Sequence, residues 1–270
     1  MLVCLGGLKY GEIASAVAAK VARAIDAEVS LLHVTPEVHS HHKRMKFGAE
    51  AKTASEVLQF LERTKKIFER EGITNIKIVR RKGEPAREIL RESEKGYQMV
   101  VTGSRGLKGI EKAIFHSVSY QIAEYATIPV LVVKRNVEIK KILVCTDGSE
   151  NAKEAEFCAG ILAKALDAEI TLISVAWEYE DPEVAEKCDL EGKRFLEEKF
   201  GIEPKTLCKA GKVVETLVAT ANNFDLVVLG SRGLSRIRRL LMGHVSLKVL
   251  ENANTNVLIV RNCEAYRKQR

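Results

Sequence analysis

A chain of 270 residues, 46% apolar and 29% charged, has room for two globular domains of roughly 100–200 residues each. Its net charge of +7 leans towards anionic partners, but 43 basic residues are mixed with 36 acidic ones and aromatics are only 6%, which disfavours a nucleic-acid surface. No apolar run approaches the ~20 residues of a membrane helix, and Met1–Leu5 lacks the basic and apolar regions of a signal peptide, so the expected location is cytoplasmic.

Short β-branched runs alternate with longer helical patterns from one end to the other. Strands are predicted near Leu2–Leu5, Val29–Val34, Ile76–Val79, Met99–Thr102 and Val130–Val133. A second set follows near Ile142–Cys145, Ile170–Val175, Lys205–Lys209, Leu226–Leu229 and Val257–Val260. Between the latter lie predicted helices near Asn151–Leu166, Pro182–Phe200, Val213–Asn222 and Val245–Asn252, and the first half follows the same order. Runs that are apolar on consecutive residues belong to strands covered on both faces, and strict βα alternation implies parallel pairing.

The two halves are copies. "AIDAEVSLLHV" (Ala24–Val34) matches "ALDAEITLISV" (Ala165–Val175), and "GSRGLKGIEKAIFHSVS" (Gly103–Ser119) matches "GSRGLSRIRRLLMGHVS" (Gly230–Ser246). The expected fold class is α/β, two tandem doubly wound five-stranded parallel sheets of Rossmann-like plan, with domains at 1–135 and 139–263. The connector Lys134–Lys141 is too short for a free tether, and the basic end from Tyr266 to Arg270 is expected to fray.

Doubly wound sheets bind ligands beyond the carboxyl ends of their strands, where strand order reverses. Gly230 and Gly233 directly follow the strand Leu226–Leu229, and Gly243 precedes a helix. Glycines let backbone N–H groups approach a bound group, and a helix start presents free N–H groups suited to phosphate. Ser246 is placed either to cap that helix or to donate its hydroxyl to an anion. The pattern is neither a Walker-A loop nor a GxGxxG dinucleotide fingerprint.

Taken with "ILVCTDGSENA" (Ile142–Ala152), "DLVVLGSRG" (Asp225–Gly233), "GHVS" and "VLIV", the segment resembles the universal stress protein family in its tandem two-domain form. The motif is Gly-x2-Gly-x9-Gly-Ser/Thr, and the resemblance covers nearly the whole chain. It implies strand order 3-2-1-4-5 in each domain and, as in many members, an adenine nucleotide, ATP or AMP, with Mg²⁺ or Mn²⁺ as candidate counter-ions. Carried over, Asp147 contacts the adenine edge and the Val175 backbone helps read the base. Gly230 lies along the ribose with Cys145 nearby, while Gly233, Gly243, Val245 and Ser246 hold phosphates. It also implies that Val130–Val133 and Val257–Val260 pair across an internal pseudo-dimer interface. Homodimerisation of the chain stays open.

The histidines mark departures from this pattern. His244 stands where Ser or Thr is expected, and its backbone N–H suffices whatever the side chain does. His116 replaces the third glycine of the first copy, and Gly6 stands where Asp147 does in the second. Gln98 occupies the column of Asp225. The first domain is therefore expected to carry a degenerate site.

Other features carry less. His39–His42 ("HSHH") lies in a loop without the cysteine or carboxylate set a metal site needs. Arg232, Arg236, Arg238 and Arg239 form a basic patch that either steers anions or is a solvated face. Cys4, Cys145, Cys158, Cys188, Cys208 and Cys263 show neither CxxC nor zinc spacing, so reduced, mostly buried thiols are expected. No nucleophile elbow or Ser-His-Asp set is present, so any ATP hydrolysis should be slow. The functional expectation is a nucleotide-binding regulatory protein of stress response. The alternatives are a slow ATPase or nucleotide-dependent transferase, and a nucleotide-independent scaffold.

Overall fold

The computed structural model describes residues 1–6, 8–36, 54–104, 117–176, 182–232, 242–263 and 268. In the first half the elements run β1 (Leu2–Cys4), α1 (Leu8–Ala24), β2 (Val29–Thr35), α2 (Ala54–Arg70), β3 (Ile76–Lys82), α3 (Pro85–Ser93), β4 (Val100–Gly103), α4 (Val118–Tyr125) and β5 (Val130–Val133). The second half repeats them as β6 (Lys141–Cys145), α5 (Glu150–Leu166), β7 (Glu169–Ala176), α6 (Pro182–Phe200), β8 (Lys205–Ala210), α7 (Val213–Ala221), β9 (Leu226–Gly230), α8 (His244–Asn252) and β10 (Asn256–Val260).

All ten strands form one sheet in the order β3-β2-β1-β4-β5-β10-β9-β6-β7-β8. Within each half every pairing is parallel, and the order is that of a doubly wound fold. The two five-stranded sheets are joined by one antiparallel pairing, Val257 opposite Val132 and Ile259 opposite Val130. Alternate residues feed two cores. Val3, Leu31, Ile142, Val144 and Leu172 pack with α1, α2, α5 and α6, while Leu2, Leu32, Leu143, Ile173 and Val227 pack with α3, α4, α7 and α8. Edge strands β3 and β8 run further than their apolar stretches predict. Backbone pairing alone carries them on, as at Arg81 opposite Val34, and their polar side chains face water.

The junction repeats a single device from both sides. Lys134, just past β5, donates through Nζ to Leu250 O and Ala253 O at the end of α8 (2.5 and 2.6 Å). Arg261, just past β10, donates to Ala123 O and Glu124 O at the end of α4 (2.5 and 3.0 Å). Each cation satisfies carbonyls that a helix leaves open at its carboxyl end, where the dipole also favours positive charge. Burial pulls the Lys134 ammonium down to about 8. Fully buried Asn256 accepts the N–H groups of Lys134 and Arg135 (2.9 and 3.0 Å) and so closes the seam.

Among the described residues no helix is long and apolar enough to cross a membrane. None of the six cysteines is in a disulfide. Cys4, Cys158 and Cys263 are buried, but Cys208, on edge strand β8, is exposed.

Candidate functional site

In the second half, strand β6 has β7 on one side and β9 on the other, so the chain order reverses between β6 and β9. The crevice at their carboxyl ends is walled by the loop from Cys145 to α5. Gly148 takes φ +73°, and Asp147 Oδ1 accepts the Ser149 N–H (3.0 Å). Ser149 Oγ then accepts the Ala152 N–H (3.2 Å) and caps α5. Asp147 is thus half-buried and anchored by its own turn at the mouth of the crevice. Burial, helped by the Asp147 charge, pushes the Cys145 thiol well up, which keeps it protonated and unreactive.

Strand β7 outruns β6. The Thr146 N–H bonds Ile173 O, the last link between the two, whereas Ala176 O is bonded from the β8 side by Gly211. By strand alternation the Val175 backbone faces the β6 side, beyond the point where β6 has ended.

On the opposite wall Gly230 closes β9. A Cβ there would lie 2.6 Å from Asn151 O in the first turn of α5, so close packing of helix on strand demands this glycine. We expect Gly230→Ala to cost about 1–3 kcal/mol in denaturant unfolding, with nucleotide absent throughout. Gly243 is different. It is the N-cap of α8 at φ −73° and ψ 150°, a conformation open to any residue, and its N–H donates to Ser231 O (2.7 Å). It supplies no side chain to cap α8, so among the described residues no N-cap acceptor meets the first-turn N–H groups of His244, Val245 and Ser246. The His244 side chain is exposed. Buried Ser246 directs its hydroxyl at Gly230 O (2.7 Å), which ties α8 to the end of β9.

The first half differs at the same places. Helix α4 is capped by its own Ser117, whose Oγ accepts the Tyr120 N–H (3.3 Å). Gly6, in the column of Asp147, has open space around its Cα. Gly103, like Gly230, is required by packing, here against the Tyr10 backbone, so its presence in both copies reports on the fold rather than on a ligand. Asp225 lies at the other end of β9 and accepts the backbone N–H groups of Lys140 and Lys141 (3.0 and 2.9 Å), so the Gln98 column has no bearing on the crevice. Gly233, His116, His39–His42, Arg236, Arg238 and Arg239 lie outside the described residues. Arg232 is half-buried.

Sequence reasoning missed a polar cluster beneath the crevice. Thr146 donates to Glu156 Oε1 (2.6 Å), and Glu156 is 2% exposed. Burial pushes its carboxyl up to about 7, against the Thr146 hydrogen bond and Lys153, with Asp147 and Glu191 adding to the rise. Beside it, burial pushes the Asp189 carboxyl up and the Ser174 hydroxyl opposes. Beyond that weak contact with each other, neither Asp189 oxygen nor Ser174 Oγ has a hydrogen-bond partner among the described residues. In the first half Leu5, Ser15 and His33 stand at the positions of Thr146, Glu156 and Ser174. Among the described residues no group of three acidic, histidine or cysteine side chains could hold a metal ion.

The model of the universal stress protein family matches residues 1–134 and again 138–261. Universal stress protein YxiE of Bacillus subtilis is 32% identical over 147 residues, which cover 50% of this chain and 97% of that protein. Universal stress protein MJ0531 of Methanocaldococcus jannaschii is 31% identical over 143 residues, or 45% of this chain and 82% of that protein. The crystal structure of a universal stress protein from Archaeoglobus fulgidus superposes with a TM-score of 0.69 over 96% of both chains at 21% identity, a likeness of fold. Two family matches in succession, on two doubly wound halves of one sheet, establish that the chain belongs to the universal stress protein family.

Proposed function

We propose that the second repeat, residues 139–263, binds one adenine nucleotide, ATP or AMP, as a regulatory ligand in the crevice between β6 and β9. The observation that carries this is the helix start: α8 meets the crevice with no side-chain cap, whereas α4 caps itself with Ser117. Uncapped N–H groups at a helix start are a ready anion site. Asp147 and the Val175 backbone read the base, Cys145 and Gly230 border the ribose, and Gly233, Gly243, His244, Val245 and Ser246 meet the phosphates through backbone N–H groups. With its hydroxyl on Gly230 O, Ser246 contributes as an anchor of α8. A Mg²⁺ or Mn²⁺ ion would ride on the phosphates and water, since the described residues offer it no ligand set of their own.

In this reading the first repeat, residues 1–135, keeps the fold without the site. The β5–β10 seam makes of one chain the internal pseudo-dimer whose halves share a sheet. Calorimetric titration of nucleotide-stripped protein with ATP, ADP and AMP is expected to give one site per chain. Two sites of similar affinity, or no binding of any of the three, would overturn it. Phosphate release proportional to protein and lost with Asp147→Ala would move the assignment to a slow ATPase.

A further inference from the structure

The cysteines Cys158 and Cys263 have no part in the crevice, yet their sulfurs lie 2.9 Å apart at a sequence separation of 105. Cys158 is in the middle of α5, and Cys263 follows β10 after the left-handed turn at Asn262 (φ 46°). Both are buried, at 8% and 6% exposure, in the core beneath α5. The Cys263 N–H donates to Glu154 Oε2 (3.3 Å), one helical turn before Cys158, which holds the two side chains on the same face. Their counterparts in the first repeat are Val17 and Asn136, so the pair is not a product of the duplication.

We infer that Cys158 and Cys263 are a disulfide-forming pair, oxidised by peroxide, that locks the strap Arg261–Cys263 onto α5. A disulfide needs the sulfurs at about 2.05 Å, so closure by less than about 1 Å suffices. One thiol, as its thiolate, attacks a peroxide oxygen and breaks the O–O bond, giving a sulfenic acid and, after proton uptake, water. The second sulfur attacks the sulfenic sulfur, forms the S–S bond and expels the hydroxyl as a second water. In total two thiols and one hydrogen peroxide become one disulfide and two waters, with both sulfurs oxidised and the peroxide reduced.

Rate and consequence follow from the surroundings. The hydrogen bond to Cys263, burial and the nearby Glu154 charge push the Cys158 thiol well up, so thiolate is scarce and formation in the folded protein is slow. The same burial shields the finished bond from reductant. The strap it locks carries Arg261, whose guanidinium caps α4 of the first repeat, and Asn262, which donates to Thr127 O (2.8 Å). Oxidation therefore tightens the seam between the repeats.

The test is cysteine mapping of the full chain. Reduced protein is exposed to millimolar hydrogen peroxide, alkylated in denaturant, digested without reduction and read by mass spectrometry, with exposed Cys208 as the internal measure of oxidant delivered. The expected result is a peptide pair joining Cys158 to Cys263 and lighter by two hydrogens. An upward Tm shift of roughly 5 °C or more that dithiothreitol slowly reverses should accompany it. Both are expected to vanish in Cys263→Ser and in Cys158→Ala. If Cys158 and Cys263 are each recovered singly alkylated when Cys208 is fully oxidised, or either is joined to another cysteine, the inference fails.

Discussion

Replacing Glu156 by glutamine is expected to raise the unfolding free energy at pH 8 by about 3 kcal/mol and leave it nearly unchanged at pH 4. Burial raises this carboxyl from an ordinary 4.5 to about 7 in the folded chain. Between those values the unfolded chain has released the proton and the folded chain still holds it. The folded state then binds more protons, so stability falls as pH rises through the window. Above pH 7 both states are ionised and the full cost of a buried carboxylate is present, about 3 kcal/mol for a rise of this size. Glutamine keeps an acceptor for Thr146 Oγ1 and cannot ionise. Urea titrations at pH 4, 6 and 8 should show the gap between variant and parent opening with pH. A pH-independent difference would mean that Glu156 is paired or hydrated when ionised.

Changing Gly243 to valine is expected to weaken ATP binding on the order of 100-fold while lowering Tm by only a few degrees. The φ of −73° and ψ of 150° suit valine, so the substitution brings no dihedral strain. Valine is a poorer N-cap than glycine by about 1 kcal/mol, hence the small thermal loss. A branched side chain in front of α8, however, displaces phosphate from the uncapped N–H groups. Losing two charge-assisted hydrogen bonds of about 1.5 kcal/mol each gives the stated factor. His244→Ala should keep the affinity within about twofold, since backbone N–H groups are the donors. Calorimetry on both variants separates the outcomes, and unchanged affinity in Gly243→Val would remove α8 from the site. Gly103 is unsuited as a matching control in the first repeat, because the Tyr10 backbone leaves its Cβ no room.

Much of the molecule is legible in one dimension. Buried parallel strands must be apolar on consecutive residues, so "LVVL" and "VLIV" mark them without any knowledge of their neighbours. The duplication shows as repeated text, and with βα alternation it implies the doubly wound plan. Strand order and the candidate site at Asp147, Gly230 and Gly243 came from resemblance to a family.

What the sequence could not separate was the reason for each glycine. Gly230 and Gly103 look like ligand residues in a motif, but the approach of Asn151 and Tyr10 makes them packing residues. Gly243 has a φ and ψ open to any residue, and the contrast with self-capping Ser117 is visible only once both helix starts are in place. The Glu156 carboxyl and the Cys158–Cys263 pair were likewise hidden, since Glu156 reads as one more acid on a charged helix and the cysteines as isolated thiols. Composition and periodicity report what each residue prefers, and with the repeated text they determined the layers and the duplication. Distances between residues far apart in the chain decide desolvation, sulfur contact and steric room, and those were set only when α5, β9 and the strap after β10 came together.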